Sequence, residues 1–133
     1  MQKNLPVFLQ SGAFPLFAGA LWSDWTYWKS SEIQWINFSA WLLFGAALFT
    51  GLALLAALIF MLMRRRNNRY DGLNLALLAF TLAGAVLNSF VHARDVWATM
   101  PTGLWMSAVL LLMSVVGVVL VFRGKDQSMR TEQ

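Results

Sequence analysis

Apolar runs far longer than a water-soluble core needs alternate along this chain with short polar connections. The runs cover residues 5–22, 35–63, 73–93 and 102–122, followed by a polar stretch, 123–133. A helix crossing a hydrocarbon core of about 30 Å needs about 20 residues. The pattern therefore predicts an all-α membrane protein: a four-transmembrane-helix bundle in a single domain, 1–133. At about 1.5 Å per residue the 29 residues of the second run exceed the core. That run is expected to tilt or to project from one face. The first run is the least regular, because Gln10-Ser11-Gly12 interrupts it and Pro15 removes a backbone donor. Lys3, an apolar run and Ala18-Gly19-Ala20 also admit a rival reading, a cleaved signal peptide over residues 1–20.

The third run carries the most informative pattern. Asn74, Thr81, Asn88 and Asp95 recur every seven residues, and His92 lies one turn beyond Asn88. On a helix these residues form one polar stripe, with Gly84 and Ala85 on the same face and Leu, Phe, Val and Ala elsewhere. A polar stripe within hydrocarbon is expected to turn towards other helices. Between the runs, SDWTYWKSSEIQ (23–34) reads as a polar-aromatic connection, RRRNNRY (64–70) as a basic loop, and RDVWATMP (94–101) as a short outer connection. Asp71 is placed to cap the third helix and Pro101 to open the fourth.

Composition agrees with this reading: 59% of the residues are hydrophobic and 12% charged, against about 25% charged in soluble domains. With four spans the termini share a side. Lys3, Arg64, Arg65, Arg66, Arg69, Arg123, Lys125 and Arg130 fall on it, and only Lys29 and Arg94 on the other. The positive-inside rule then predicts cytoplasmic termini. The same segregation explains the pI near 10.1 without nucleic acid as a partner. There are no cysteines, which excludes disulfides, thiolate nucleophiles and Cys-ligated metals.

The seven tryptophans, Trp22, Trp25, Trp28, Trp35, Trp41, Trp97 and Trp105, gather at the outer connections. A belt on both faces is the usual arrangement. A one-sided cluster reads as an interface anchor or, with Trp25, Trp28 and Trp97 in front, as a surface for a protein partner. His92 is the only histidine, and a bis-His haem needs two. It reads as a polar member of the bundle bonded to Asn88 or Asp24, or else as one ligand of a haem b completed by another chain. Asp24, Glu32, Arg94 and Asp95 read as a solvated rim. Neither a catalytic residue nor a metal site is expected, since no phosphate loop, zinc motif or triad pattern occurs.

Phe14-Pro15, SDWTYW, the small-residue-rich second run, the basic loop, DGLNLALLAF, LNSFVHARD and MPTGLWMSAVLLLMSVVG follow one another over residues 10–122. In this order they resemble a family of small bacterial four-span membrane proteins catalogued as domain of unknown function 2231. The resemblance implies a four-helix bundle in the bacterial inner membrane and no established activity. Members of that family commonly carry a histidine beside the early Phe-Pro and another near the start of the third span. This chain has neither, and Asn74 stands in the latter region, so no haem or metal role is carried over.

Three functions are compatible with these features. The first is a non-enzymatic membrane anchor or assembly subunit, partnered by lipid and by a periplasmic or membrane redox protein or by itself. The second is an electron-transfer subunit using His92 for haem. The third is a small oligomeric transporter or proton path along Asn74, Thr81 and Asn88.

Overall fold

A computed structural model describes residues 4–63, 69–94 and 98–131. Within them the chain forms helices α1 (Leu5–Ser30), α2 (Ile33–Met63), α3 (Arg69–His92) and α4 (Thr102–Thr131). Each is long and apolar enough to cross a membrane. α1 packs against α2 and α4, and α3 packs against the same two helices, so the four close into a square. Consecutive helices run antiparallel, which sets Asn4 and Lys125 at one end, joined by a Lys125 Nζ to Asn4 Oδ1 hydrogen bond of 2.9 Å. The opposite end holds the α1–α2 turn at Ser31.

Every helix turns its buried residues inward with spacings of three and four. In α1 these include Gln10, Ala13, Phe17, Ala20, Asp24 and Tyr27; in α2, Ile36, Ser39, Leu43, Ala46, Thr50 and Ala53. In α3 they are Asn74, Leu78, Thr81, Ala85, Asn88 and His92; in α4 they include Gly103, Ser107, Leu110, Ser114 and Gly117. A mean period of about 3.5 residues keeps one seam facing the neighbours, as in coiled coils and antiparallel bundles. Small residues in the seam let the backbones approach. The centre is an apolar layer of Ala13, Phe17, Ala20, Leu43, Ala46, Ala85 and Leu110. Outward positions are Leu, Phe, Val and Trp. The surface is thus more apolar than the seam, the reverse of a soluble bundle.

Four boundaries differ from those expected of the sequence. α1 does not end at Trp22 but runs to Ser30, so the connection between α1 and α2 shrinks to Ser31 and Glu32. The reason is local: Ser23, Thr26 and Ser30 each donate a side-chain hydrogen bond to the carbonyl four residues back, at 2.7–2.8 Å. Such back-bonding lets a polar run stay helical, because its hydroxyls need no other partner. The helix ends at Ser31, whose backbone is left-handed (φ 58°) and whose N–H bonds Tyr27 O at 2.7 Å. The helix also continues through Pro15. α3 begins at Arg69, which leaves Asp71 within its first turn rather than at its cap. Pro101 sits just ahead of α4, and that helix extends through the polar stretch to Thr131. As for α2, none of its residues after Ala53 is buried, so its last ten residues stand clear of the core.

Candidate functional site

The polar residues of the seam divide into two groups, one on each side of the Phe17 layer. Near the Asn4 end, Gln10 of α1 and Asn74 of α3 exchange amide hydrogen bonds, Gln10 Nε2 to Asn74 Oδ1 at 2.9 Å and Asn74 Nδ2 to Gln10 Oε1 at 3.3 Å. Gly117 of α4 leaves the room for this pair, since a Cβ there would overlap Gln10 Nε2. In the middle, Thr50 and Thr81 spend their hydroxyls on their own helices, bonding Ala46 O and Leu77 O at 2.7 Å each.

The second group lies two to three turns below the Ser31 end and draws on all four helices. Asp24 of α1 is fully buried. Its Oδ1 faces His92 Nε2 of α3 at 2.8 Å, and its Oδ2 accepts a hydrogen bond from Ser107 Oγ of α4. Asn88 Nδ2 donates to Ser107 Oγ at 2.9 Å. Ser39 Oγ of α2 donates to Ala20 O at 3.2 Å and stands 3.3 Å from His92 Nε2. His92 Nδ1 lies 2.9 Å from Asn88 O. A carbonyl can only accept, so Nδ1 carries a hydrogen there. A hydrogen bond between Nε2 and Oδ1 then requires one further proton, on either atom. Thr99 Oγ1 closes the end by donating to Val91 O at 3.3 Å, and its side chain is fully buried. Gly103 fits His92 into the seam: a Cβ there would stand 3.0 Å from His92 Cε1 and 2.9 Å from Thr99 Cγ2.

The sequence-derived stripe Asn74, Thr81, Asn88 and His92 is buried along α3, but Asn74 belongs to the first group, Asn88 and His92 to the second, and Thr81 lies between them bonded to its own helix. Asp95 and Trp97 lie outside the described residues. Trp25 and Trp28 are half-exposed on α1, with ring centroids 5.8 Å apart at 88°. Lys29 Nζ stands 5.2 and 5.8 Å from those two centroids. Asp24 corrects the sequence reading most sharply. Placed among the solvated rim, it is instead a core residue, because α1 continues past it. Sequence reasoning also passed over Ser39 and Ser107, and it read Gln10 only as an interruption of the first run. A signal for Asp24 was present, since Ala13, Phe17, Ala20, Asp24 and Tyr27 keep the seam spacing across the assumed boundary.

Chemically, the cluster is not a hydrolytic triad. Asp24 and Ser39 both approach Nε2, the serine hydroxyl is committed to a carbonyl, and both residues are fully buried. A triad needs the carboxylate on the far nitrogen and an exposed nucleophile. Nor do the residues fit a haem. Both ring nitrogens of His92 are engaged and its side chain has no exposed area, so an iron at Nε2 would have to displace Asp24. Among the described residues no group of three His, Asp or Glu side chains could hold a metal ion. Comparison of the chain with protein-family models, with curated proteins and with solved structures returns no match in any of the three.

Proposed function

We propose that the chain is a multi-pass protein of the bacterial inner membrane, with both termini in the cytoplasm, and that it serves as a non-catalytic anchor or assembly subunit for a membrane or periplasmic partner. The observation that carries this reading is the placement of the tryptophans. All six described ones, Trp22, Trp25, Trp28, Trp35, Trp41 and Trp105, are exposed, and all lie towards the Ser31 end. In water such a surface would aggregate. In a bilayer it is a collar at one interface, with the basic residues Arg69, Arg123, Lys125 and Arg130 towards the other. The resemblance in segment order supports the same location.

A collar anchors by partition alone, but Trp25 and Trp28 go further. They are held edge-to-face, with Lys29 against both rings. A preorganised aromatic pair beside a charge is suited to a protein contact, where Trp is enriched among the residues that carry binding energy. The partner is a membrane or periplasmic protein, or a second copy of the chain. The transport reading has less support, because the Phe17 layer interrupts the seam between its two polar groups.

The test is co-purification from native membranes in a mild detergent, using a tag after Gln133. The paired substitution Trp25→Ala with Trp28→Ala is expected to release the companion while thermal unfolding of the bundle stays unchanged. A companion retained by that variant sinks the docking surface. Orientation has its own test, and the cysteine-free sequence makes it clean. Ser31→Cys is expected to react with an impermeant maleimide in intact spheroplasts, and Gln127→Cys only after lysis. The opposite labelling would invert the topology.

A further inference from the structure

We propose that Asp24 and His92, with Ser39, Ser107 and Asn88 around them, form a proton-binding site that loads and releases one proton as a unit. This goes beyond the anchor reading and does not depend on it. The first argument is the hydrogen count. Nδ1–H of His92 is fixed on Asn88 O, and Oδ2 of Asp24 is fixed under the Ser107 hydroxyl. Only the proton between Nε2 and Oδ1, 2.8 Å apart, is left to move. With it, the pair is neutral overall, whichever atom holds it. Without it, two lone pairs face each other around a buried negative charge.

The second argument is that the surroundings serve both states. Ser39 Oγ lies almost midway between Ala20 O at 3.2 Å and His92 Nε2 at 3.3 Å. While Nε2 bears the proton, the Ser39 hydroxyl points at Ala20 O. When the proton leaves, the same hydroxyl can turn to the Nε2 lone pair, and nothing else has to move. A purely structural ion pair has no use for that second donor.

The third argument is an acceptor left over. Asn88 Nδ2 is committed to Ser107, whose own hydrogen is committed to Asp24, so the amide cannot be flipped. Asn88 Oδ1 is therefore an acceptor with no donor, the one such buried side-chain atom among the described residues. Buried acceptors of this kind are rare and call for a partner. A water molecule, a small donor with two hydrogens, has the chemistry to be that partner. Release is then transfer of the shared proton to water, and loading is its return; no other atom changes partners except the Ser39 hydrogen.

Among the described residues the other titratable groups towards the Ser31 end are Tyr27, Lys29, Glu32 and Arg94. The buried residues of the seam around the site are Ile36, Ser39 and Leu43 on α2, Gly103, Leu104, Ser107 and Leu110 on α4, and Ala85, Asn88 and His92 on α3. On α1, Tyr27 is buried one turn further on and Lys29 is exposed, as is Glu32 in the connection to α2. Arg94 is exposed just after α3. Towards the Asn4 end, the Phe17 and Leu43 layer offers no polar step, so the site binds a proton without passing it through.

The single histidine makes the test direct. The full chain is labelled with 15N at the imidazole, reconstituted in nanodiscs and titrated from roughly pH 5 to pH 9, the range in which histidine charge is read. The expected result is one titrating event at Nε2, with Nδ1 protonated throughout, and at least about tenfold weaker proton binding in Asp24→Asn, which keeps the shape and removes the charge. Equal proton binding in the two proteins overturns the proposal. Should Asp24→Asn fail to fold, Ser39→Ala decides. Loss of the second donor is expected to slow or weaken proton release at Nε2, and an unchanged titration refutes the two-state role of Ser39. A His92 spectrum invariant across the range in wild type refutes the site itself. Proteoliposomes are expected to leak protons no faster than protein-free vesicles, and a leak abolished by Asp24→Asn would overturn the closed floor of the site.

Discussion

Near the Asn4 end, two neutral amides, Gln10 and Asn74, bond each other and nothing in the pair can change charge. Near the Ser31 end, an acid and a base meet in the same seam, with two serines and an asparagine fitted around them. Both contacts tie α1 to α3 across the diagonal of the square. The difference lies in what burial demands of them. An amide pair leaves no net charge to desolvate, so it fastens the helices at modest cost and behaves alike at any pH. A carboxylate beside an imidazole needs either the shared proton or, when that leaves, a flanking donor turned to the bare ring nitrogen. One end of the bundle is therefore a clasp and the other is a clasp that depends on a proton count.

The comparison breaks most visibly at Asp24. Asp24→Leu removes the partner of His92 Nε2 and of the Ser107 hydroxyl at once, in a fully buried position. Breaking a buried charged pair on one side costs about 3–5 kcal/mol. Unfolding of the purified chain in mixed micelles, followed by tryptophan fluorescence, should register a loss of that order. A loss below about 1 kcal/mol, the range of neutral contacts within membranes, would make the two ends equivalent.

Gly103→Ala probes the same end without removing a polar atom. Its Cβ would meet Thr99 Cγ2 at 2.9 Å and the His92 ring at 3.0 Å. Neither can swing aside easily, since the threonine is buried and the ring is held at both nitrogens. Overpacking of this kind costs about 1–3 kcal/mol. Here it should also push Nε2 away from Oδ1, which the 15N spectrum of His92 reports. A normal spectrum with reduced stability would mean that the helix moved instead of the ring.

Much of this architecture was legible in the order of apolar runs, and the reasons are physical. Length and hydropathy define a membrane-length helix almost by themselves, so the four helices could be counted. The seven-residue recurrence of Asn74, Thr81 and Asn88 placed the buried face of α3, because polar groups stand out in an otherwise apolar helix. The acid end was harder. Ser23 to Ser30 has the composition of an interfacial loop, and hydropathy has no means of weighing hydroxyls that bond their own helix. Asp24 was thus assigned to the rim, although its spacing from Phe17 and Ala20 matched the seam. Ser39 and Ser107 carry no signal alone. Serine is common in such helices, and only the assembled bundle brings the two to the opposite sides of one carboxylate.

At the amide end the expected effects are smaller. Gln10→Leu leaves Asn74 with no amide partner, and single losses of this kind average well under about 2 kcal/mol in membrane bundles, because the open state also finds partners. A cost near about 1 kcal/mol, unaltered between acidic and neutral pH, would mark the pair as a plain fastener. A cost that varied with pH would mean that the two ends communicate across the Phe17 layer.

The smallest effect is expected of Gln10→Leu combined with Asn74→Leu. Replacing both members of a hydrogen-bonded pair by apolar groups of similar size leaves no donor or acceptor stranded and is nearly neutral. Stability should return to within about 0.5 kcal/mol of wild type. Gly117 then supplies an internal check. The atom nearest to its missing Cβ is Gln10 Nε2, and the shorter side chain introduced by Gln10→Leu would end one atom short of that position. Gly117→Ala should accordingly be harmful in the wild-type background and mild in the double variant. The matching pair of changes at the acid end, Asp24→Leu with His92→Leu, cannot be neutral in the same way. It would strand the Ser107 hydroxyl and leave Ser39 bonded only to its carbonyl. A double variant there as stable as wild type would show that the serines are incidental, and the two ends would then be clasps of one kind.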